Sequence, residues 1–252
     1  MNAENQIIAL WCHPRSMSTA IERLFRERGD LRCLHEPFMY PYYIGGTNRN
    51  MPHFQPKEGH PATYAEVREK ILNEAQSGSV FFKDMSYYIL PHLESDPDFN
   101  QRLNHCFLIR NPRATIASYF NLDAEVSREE IGVEAQWKHF AFLRKSGLTP
   151  YVIQAEVVRE DPRAALAKLW RYLRLDYKES AFSWGENHPV DWNPVKTWHS
   201  AAMGSSEISS RKPDEKRDEQ LRFDRAAEKA PHLKDFLNHH LPYYQRLLEF
   251  SQ

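Results

Sequence analysis

Two short segments hold most of the chemistry that side-chain type and spacing suggest. The first is Pro14-Arg15-Ser16-Met17-Ser18-Thr19, lying between the apolar run Ile7-Ile8-Ala9-Leu10-Trp11-Cys12 and a helical pattern that begins at Ser18. A helix N-terminus presents unpaired N–H groups and the positive end of a dipole, a setting that suits phosphate or sulfate. Arg15 adds charge, and Ser16, Ser18 and Thr19 add hydroxyl donors; the same hydroxyls could instead only cap the helix. A nucleotide-kinase loop would read G-x-x-x-x-G-K-[ST]. This segment has neither the glycines nor the lysine, which weighs against ATP chemistry. The second segment runs Ile109-Arg110-Asn111-Pro112-Arg113 and on to Ser118. Pro112 fixes the helix start, so Ser118 falls two turns in and can share a side with Arg110. A guanidinium and a hydroxyl on one side can grip a phosphate monoester.

Both segments need a strand behind them and a helix ahead. Ile7–Cys12 reads as a strand buried on both faces, and the pattern predicts a helix over Ser18–Arg28 stopped by Gly29. Further strands are expected at Leu31–Glu36, Ser79–Met85, His105–Ile109 and from Tyr151. Helices are expected after the Thr63-x-x-Glu66 capping box, over Pro112–Asn121 and Ser127–Ser146, from Asp161-Pro162 to Leu173, and over Pro231–Phe250. The Pro-, Gly- and Tyr-rich stretch Pro37–Pro61 reads as a lid, and Ser183–Lys216 as irregular. Strands alternating with helices imply a single α/β domain over residues 1–252, with a mostly parallel central sheet flanked by helices. Ligands in such folds sit beyond the carboxyl ends of the strands, so the loops after Cys12, Leu34, Phe82 and Ile109 matter most.

Bulk properties narrow the class. The chain has 252 residues, 41 % hydrophobic and 27 % charged, as in a globular enzyme. Its formal net charge of -1 supplies no field for nucleic acid or anionic membrane. No run approaches the roughly 18 apolar residues of a membrane span, and Met1–Asn5 does not read as a signal peptide. Cys12, Cys33 and Cys106 read as buried free thiols in a reducing, cytoplasmic setting. Among twelve histidines no metal-ligand spacing occurs, so no metal is expected.

Together the two segments resemble the PAPS-dependent sulfotransferase superfamily, whose donor is 3'-phosphoadenosine-5'-phosphosulfate (PAPS). The first is similar to the family's 5'-phosphosulfate loop, P-[KR]-S-G-[ST]-T, a P-loop-like element. The second matches its 3'-phosphate motif, R-x-P-R-x-x-x-x-S, without a gap. Leu34-His35-Glu36-Pro37-Phe38 is similar to the L-x-E-P stretch of bacterial and carbohydrate members. Glu156 to Leu173 resembles the later Y-E-D-L segment. Three departures stand out: Met17 replaces the loop glycine, Glu156 alone survives of Y-E-D-L, and Phe82-Lys83-Asp84-Met85 lacks the histidine base of the cytosolic branch. Arg211-Lys212-Pro213 only partly echoes the late R-K-G loop that grips the 3'-phosphate in that branch.

The resemblance implies transfer of a sulfuryl group from PAPS to a hydroxyl or amine of a small-molecule or carbohydrate acceptor. Arg15, Ser16, Met17, Ser18 and Thr19 would hold the 5' end. Arg110, Ser118, Arg211 and Lys212 would hold the 3'-phosphate. Lys83, at a strand end, would reach the sulfuryl or bridging oxygen. Glu36 is the expected general base, because it stands at a strand end beside the first loop and some bacterial and carbohydrate members use a glutamate there. His35 is the runner-up, although strand alternation points it to the opposite face, and His13 is a third candidate. Phe38-Met39-Tyr40-Pro41-Tyr42-Tyr43 is expected to wall the acceptor pocket, and the mixed charge run Arg211–Arg225 to be a solvated surface. Two other classes remain: a nucleotide-binding protein that holds PAPS without turnover, and an ATP- and magnesium-dependent small-molecule kinase.

Overall fold

Residues 5–46, 51–210 and 214–252 are described by a computed structural model. The apolar runs form five strands: β1 (Ile7–Cys12), β2 (Arg32–His35), β3 (Val80–Met85), β4 (Leu103–Ile109) and β5 (Tyr151–Gln154). They pair in parallel in the order β2-β3-β1-β4-β5. Every residue of β1 and β3 is buried, as continuous apolar strands covered on both faces must be.

Helices join and cover these strands: α1 (Ser18–Glu27), α2 (Tyr64–Ser77), α3 (Ser86–Ile89), α4 (Pro97–Arg102), α5 (Pro112–Phe120), α6 (Val133–Lys145), α7 (Ala155–Glu160), α8 (Pro162–Tyr172), α9 (Ser200–Met203), α10 (Glu215–Lys229) and α11 (Leu233–Leu248). The capping box at Thr63 and Glu66 forms as the sequence predicts. Asp161 caps α8 through the Ala164 N–H, 2.9 Å away. The helix expected over Ser127–Ser146 is divided. A 3-10 turn, Glu129–Ile131, precedes α6, and Gly132 between them takes φ +79°. A Cβ there would lie 3.0 Å from His13 Cβ and 3.2 Å from the Tyr87 ring, so the break seats the chain against the site.

The topology selects the position of the site. From central β1 the chain leaves toward β2; from its neighbour β4 it leaves toward β5. The carboxyl ends of β1 and β4 therefore flank the switch point where such sheets bind ligands. The two anion-type segments are the loops at those ends. The segment expected to be irregular contains a 3-10 stretch, Val190–His199, and then α9. It is tied to the predicted lid by two hydrogen bonds: Trp198 Nε1 to the Pro52 carbonyl (2.7 Å) and the Gln55 N–H to the Pro194 carbonyl (2.8 Å). Among the described residues no helix is long and apolar enough to cross a membrane. All three cysteines are free; Cys12 and Cys106 are buried and Cys33 half-buried.

Candidate active site

The loop from Pro14 to Met17 turns the chain from β1 into α1 through two left-handed residues, Arg15 at φ 63° and Met17 at φ 76°. A non-glycine residue there costs about 1–2 kcal/mol, so Met17 keeps the conformation a glycine would take easily. Met17 is the N-cap of α1 and supplies no side-chain hydrogen bond. The helix start is therefore not closed off by its own hydroxyls, and the simple capping role is not what these residues do. The buried Ser16 Oγ has no protein partner. A strained turn, an uncapped helix start and an orphaned hydroxyl together fit an anionic ligand.

The second loop has a different local logic. Asn111 caps α5 through the Arg113 N–H (3.0 Å), with Pro112 in the first helical turn. Glu156, the remnant of the later motif, accepts the Asn111 N–H at 2.9 Å and so fixes the end of β4 to α7. Arg110 and Ser118 are brought together, as predicted, but through Arg15. Arg15 Nε donates to Ser118 Oγ (3.0 Å), and Arg110 donates to the Arg15 carbonyl (3.1 Å). Arg15 also donates to the Trp198 carbonyl at 2.6 Å. The other side of Arg110 meets Glu219 of α10 at 2.8 Å. The charge run is thus not wholly a solvated face: Glu219 turns inward because Arg110 offers it a half-buried cation. Arg211 and Lys212 lie outside the described residues.

His13, a candidate base, is buried between backbone groups. One ring nitrogen accepts the Arg110 N–H at 3.1 Å, and the other lies 3.2 Å from the Pro14 carbonyl. Burial above all lowers its pKa to about 3, so it stays neutral and braces the two loops against each other.

Glu36 and Lys83 meet at the ends of β2 and β3. Lys83 is fully buried, not a solvated strand-end lysine, and its ammonium is paired with the Glu36 carboxylate. The turn at Glu36 is stitched to β3: its N–H reaches the Lys83 carbonyl (3.1 Å), and the Phe38 N–H reaches buried Asp84 (2.7 Å). Burial, then the nearby Glu36, raises the Asp84 pKa well above its usual range. Glu36 takes φ 38°, outside strand geometry. This overturns the alternation argument: the kink brings His35 and Glu36 to one side, 3.9 Å apart.

That side holds groups the sequence reading missed. His199, at the end of the 3-10 stretch, lies 2.9 Å from His35 through their Nε2 atoms and 3.1 Å from Thr19 Oγ1 through Nδ1. His35 Nδ1 lies 2.7 Å from Glu22, which also accepts from Trp192 (2.8 Å). The expectation of no metal came from linear spacing, yet the fold puts one donor atom each of His35, Glu36 and His199 within 4.8 Å of the others. These donors hold protein partners: Lys83 on Glu36, and the two imidazoles on each other.

A cavity of about 290 Å³ gathers most of these features; Ser16, fully buried, is not among the residues that line it. Arg15, Ser18, Thr19, Glu36, Lys83, Arg110, Ser118 and His199 border it. Its aromatic wall is Tyr43, Tyr87, Tyr88, Tyr119 and Trp198. Of the segment expected to form that wall, only Tyr43 does. Phe38 instead joins the core against Tyr64, Phe82 and Phe99, because Asp84 pins its backbone beneath the site. A smaller recess of about 130 Å³ shares Arg110 and Ser118 and adds Asn121, Glu219 and Arg222.

Comparison with known proteins bears on the fold and the family. A family model described as "Sulfotransferase domain" matches residues 5–231. Two Arabidopsis thaliana proteins, branched-chain-amino-acid aminotransferase-like proteins 2 and 1, are each 26 % identical, over 81 % and 83 % of this chain. The chain spans only 36 % and 38 % of their lengths. Among solved structures, the sulfotransferase domain from the curacin biosynthetic pathway shares the fold with a TM-score of 0.56 at 14 % identity, covering 91 % of this chain and 98 % of that one. A five-stranded parallel sheet with anion-type loops at its switch point, together with a family match over most of its length, places this chain in the sulfotransferase domain family.

Proposed function

We propose that this protein transfers a sulfuryl group from PAPS to a hydroxyl or amine of a small-molecule or carbohydrate acceptor. The observation that carries the reading is the convergence of both loops on one cavity, with Arg15 hydrogen-bonded to Ser118 between them. The nucleotide would lie across the switch point, its 5' end at Arg15, Ser16, Met17, Ser18 and Thr19 and its 3'-phosphate at Arg110 and Ser118. The uncapped start of α1 fits the 5' group. By analogy with phosphoryl transfer, the work is positioning and stabilisation of spread negative charge. Lys83 borders the cavity with a buried cation, suited to the bridging oxygen as it leaves. Burial alone would lower its pKa, but Glu36 and Glu22 outweigh that and raise it, so the ammonium keeps its charge. Two basic groups border the cavity for the acceptor's proton: the Glu36 carboxylate, which the sequence nominates, and the His199 imidazole.

A screen of alcohols, phenols, sugars and amines with sulfur-labelled PAPS, read by mass spectrometry, tests the reading. Product heavier by one SO3 group is expected. PAPS binding with no turnover would support the silent-binder class. ATP turnover that requires magnesium would support a kinase.

A further inference from the structure

A line of hydrogen bonds runs inward from the donor loop: Thr19, His199, His35, Glu22. Its direction follows from its buried end. Glu22 pairs with Arg26 at 2.7 Å and accepts the Trp192 indole N–H at 2.8 Å, so it is held as a carboxylate although it is buried. The carboxylate therefore only accepts, and His35 Nδ1 must donate to it. When His35 is neutral, its Nε2 accepts from His199 Nε2–H. His199 Nδ1 is then the acceptor of the Thr19 hydroxyl. A proton delivered to His35 Nε2 reverses the two bonds between His35 and Thr19 and leaves the Glu22 bond unchanged.

His199 borders the cavity; its ring meets Thr19 of α1 and His35 of β2, and the charges of Lys83 on β3, Glu22 on α1 and Arg15 of the donor loop act on it from nearby. Glu36 lies within the same small cluster, but its carboxylate is engaged by Lys83. We infer that His199, rather than Glu36, takes the acceptor's proton and passes it to His35 beside Glu22, and that Thr19 keeps this relay closed until its hydroxyl turns to the sulfuryl donor. The inference rests on the sulfotransferase reading.

The step balances as follows. The acceptor oxygen bonds to sulfur while the bond from sulfur to the bridging oxygen breaks, and the departing 5'-phosphate keeps that electron pair. The acceptor's proton moves to His199 Nδ1. The His199 Nε2 proton moves to His35 Nε2, leaving an imidazolium beside the Glu22 carboxylate. The proton returns to water by the reverse path once product leaves. Burial above all holds the His199 pKa well below its usual value. The proton therefore does not stay on His199, and His35 with Glu22 supplies the place where it rests. His35 and Glu22 are positioning residues in this scheme; His199 is the group that meets the acceptor. The coupling ties base activation to donor occupancy, so the base is free only when there is a sulfuryl group to transfer.

Three measurements on the full chain test the relay. The first compares His199→Gln with wild type for kcat on an alcohol acceptor returned by the screen and for affinity toward 3'-phosphoadenosine-5'-phosphate (PAP). A kcat loss of about 10²–10⁴-fold with PAP affinity within about threefold is expected. The second is the pH profile. Wild-type kcat should fall on the acid side, below the ordinary imidazole range, as His199 itself gains a proton, and the residual rate of His199→Gln should lack that limb. The third does not depend on activity: imidazole nitrogen NMR of wild type should show His199 as the Nε2–H tautomer, with its Nδ1 signal moving when PAPS, added without an acceptor, draws Thr19 away. Wild type that binds PAP and transfers sulfuryl, beside an equally fast His199→Gln, overturns the relay alone. An Nδ1 signal unmoved by saturating PAPS does the same. Wild type that neither binds PAP nor transfers sulfuryl removes the function reading and the relay with it. Activity lost to a chelator and restored by zinc would assign His35, Glu36 and His199 to an ion instead, and overturns the relay.

Discussion

The two candidate anion loops stand in different states. The loop after β1 is strained, its helix is uncapped, and Ser16 has a buried hydroxyl without a partner. The loop after β4 is relaxed in its backbone and largely paired: Asn111 caps its helix, one Glu156 oxygen holds its backbone, and Glu219 neutralises Arg110, while the buried Arg113 Nε and the second Glu156 oxygen have no partner among the described residues. One loop stores need, and the other has an internal carboxylate where a phosphate would go. The first is built to gain from an anion at once, whereas the second must exchange one anion for another. Selectivity for a 3'-phosphate then depends on whether phosphate beats Glu219 at Arg110. A dianion with more acceptor oxygens is suited to that exchange.

Substitutions can break or sharpen this contrast. The largest effect is expected beside the first loop. Lys83→Met would strand the buried Glu36 carboxylate, costing about 3–5 kcal/mol of stability and nearly all turnover. Chemical denaturation and kcat measure the two effects, and a stable, active variant would remove Lys83 from the account. Next, Arg110→Ala should weaken PAP by about 1.5–3 kcal/mol and leave ADP, which has no 3'-phosphate, nearly unaffected; calorimetry decides it. Glu219→Gln should act in the opposite direction and tighten PAP by up to about 1 kcal/mol, since the competing carboxylate is gone but the site is partly open to water. Weaker PAP binding in that variant would mean that Glu219 positions Arg110 rather than competes for it. The smallest effect belongs to Met17→Gly. Relief of the left-handed strain is opposed by the greater freedom of glycine in the unfolded chain and by the lost packing of Met17. Stability should shift by less than about 1 kcal/mol, with donor affinity kept. A large loss would show that the Met17 side chain, not its backbone, serves the loop.

What was legible in the sequence was local or repetitive. The apolar runs of β1, β3 and β4, the Thr63 capping box, the Asp161-Pro162 start and both anion loops depend on neighbours a few residues away. Their chemistry is written where they stand. The missed parts depend on distant chain or on one unusual dihedral. His199 meets Thr19 and His35 only because the 3-10 stretch folds back over β2, some 164 residues beyond His35. Glu36 shares a side with His35 because its φ of 38° breaks strand alternation, and no residue type announces that. Tyr87 and Tyr88 reach the cavity from α3, directly after the strand end that was read correctly. Glu219 looked like one charge in a mixed run, and only the packing of α10 against α5 turns it toward Arg110.

The central claim is that one nucleotide bearing a 3'-phosphate spans both loops. Calorimetry of wild type with PAP and with ADP, both without magnesium, tests it most directly. PAP should bind at least about tenfold more tightly, the equivalent of about 1.4 kcal/mol. Equal affinities, or binding of either nucleotide only when magnesium is added, would contradict the account.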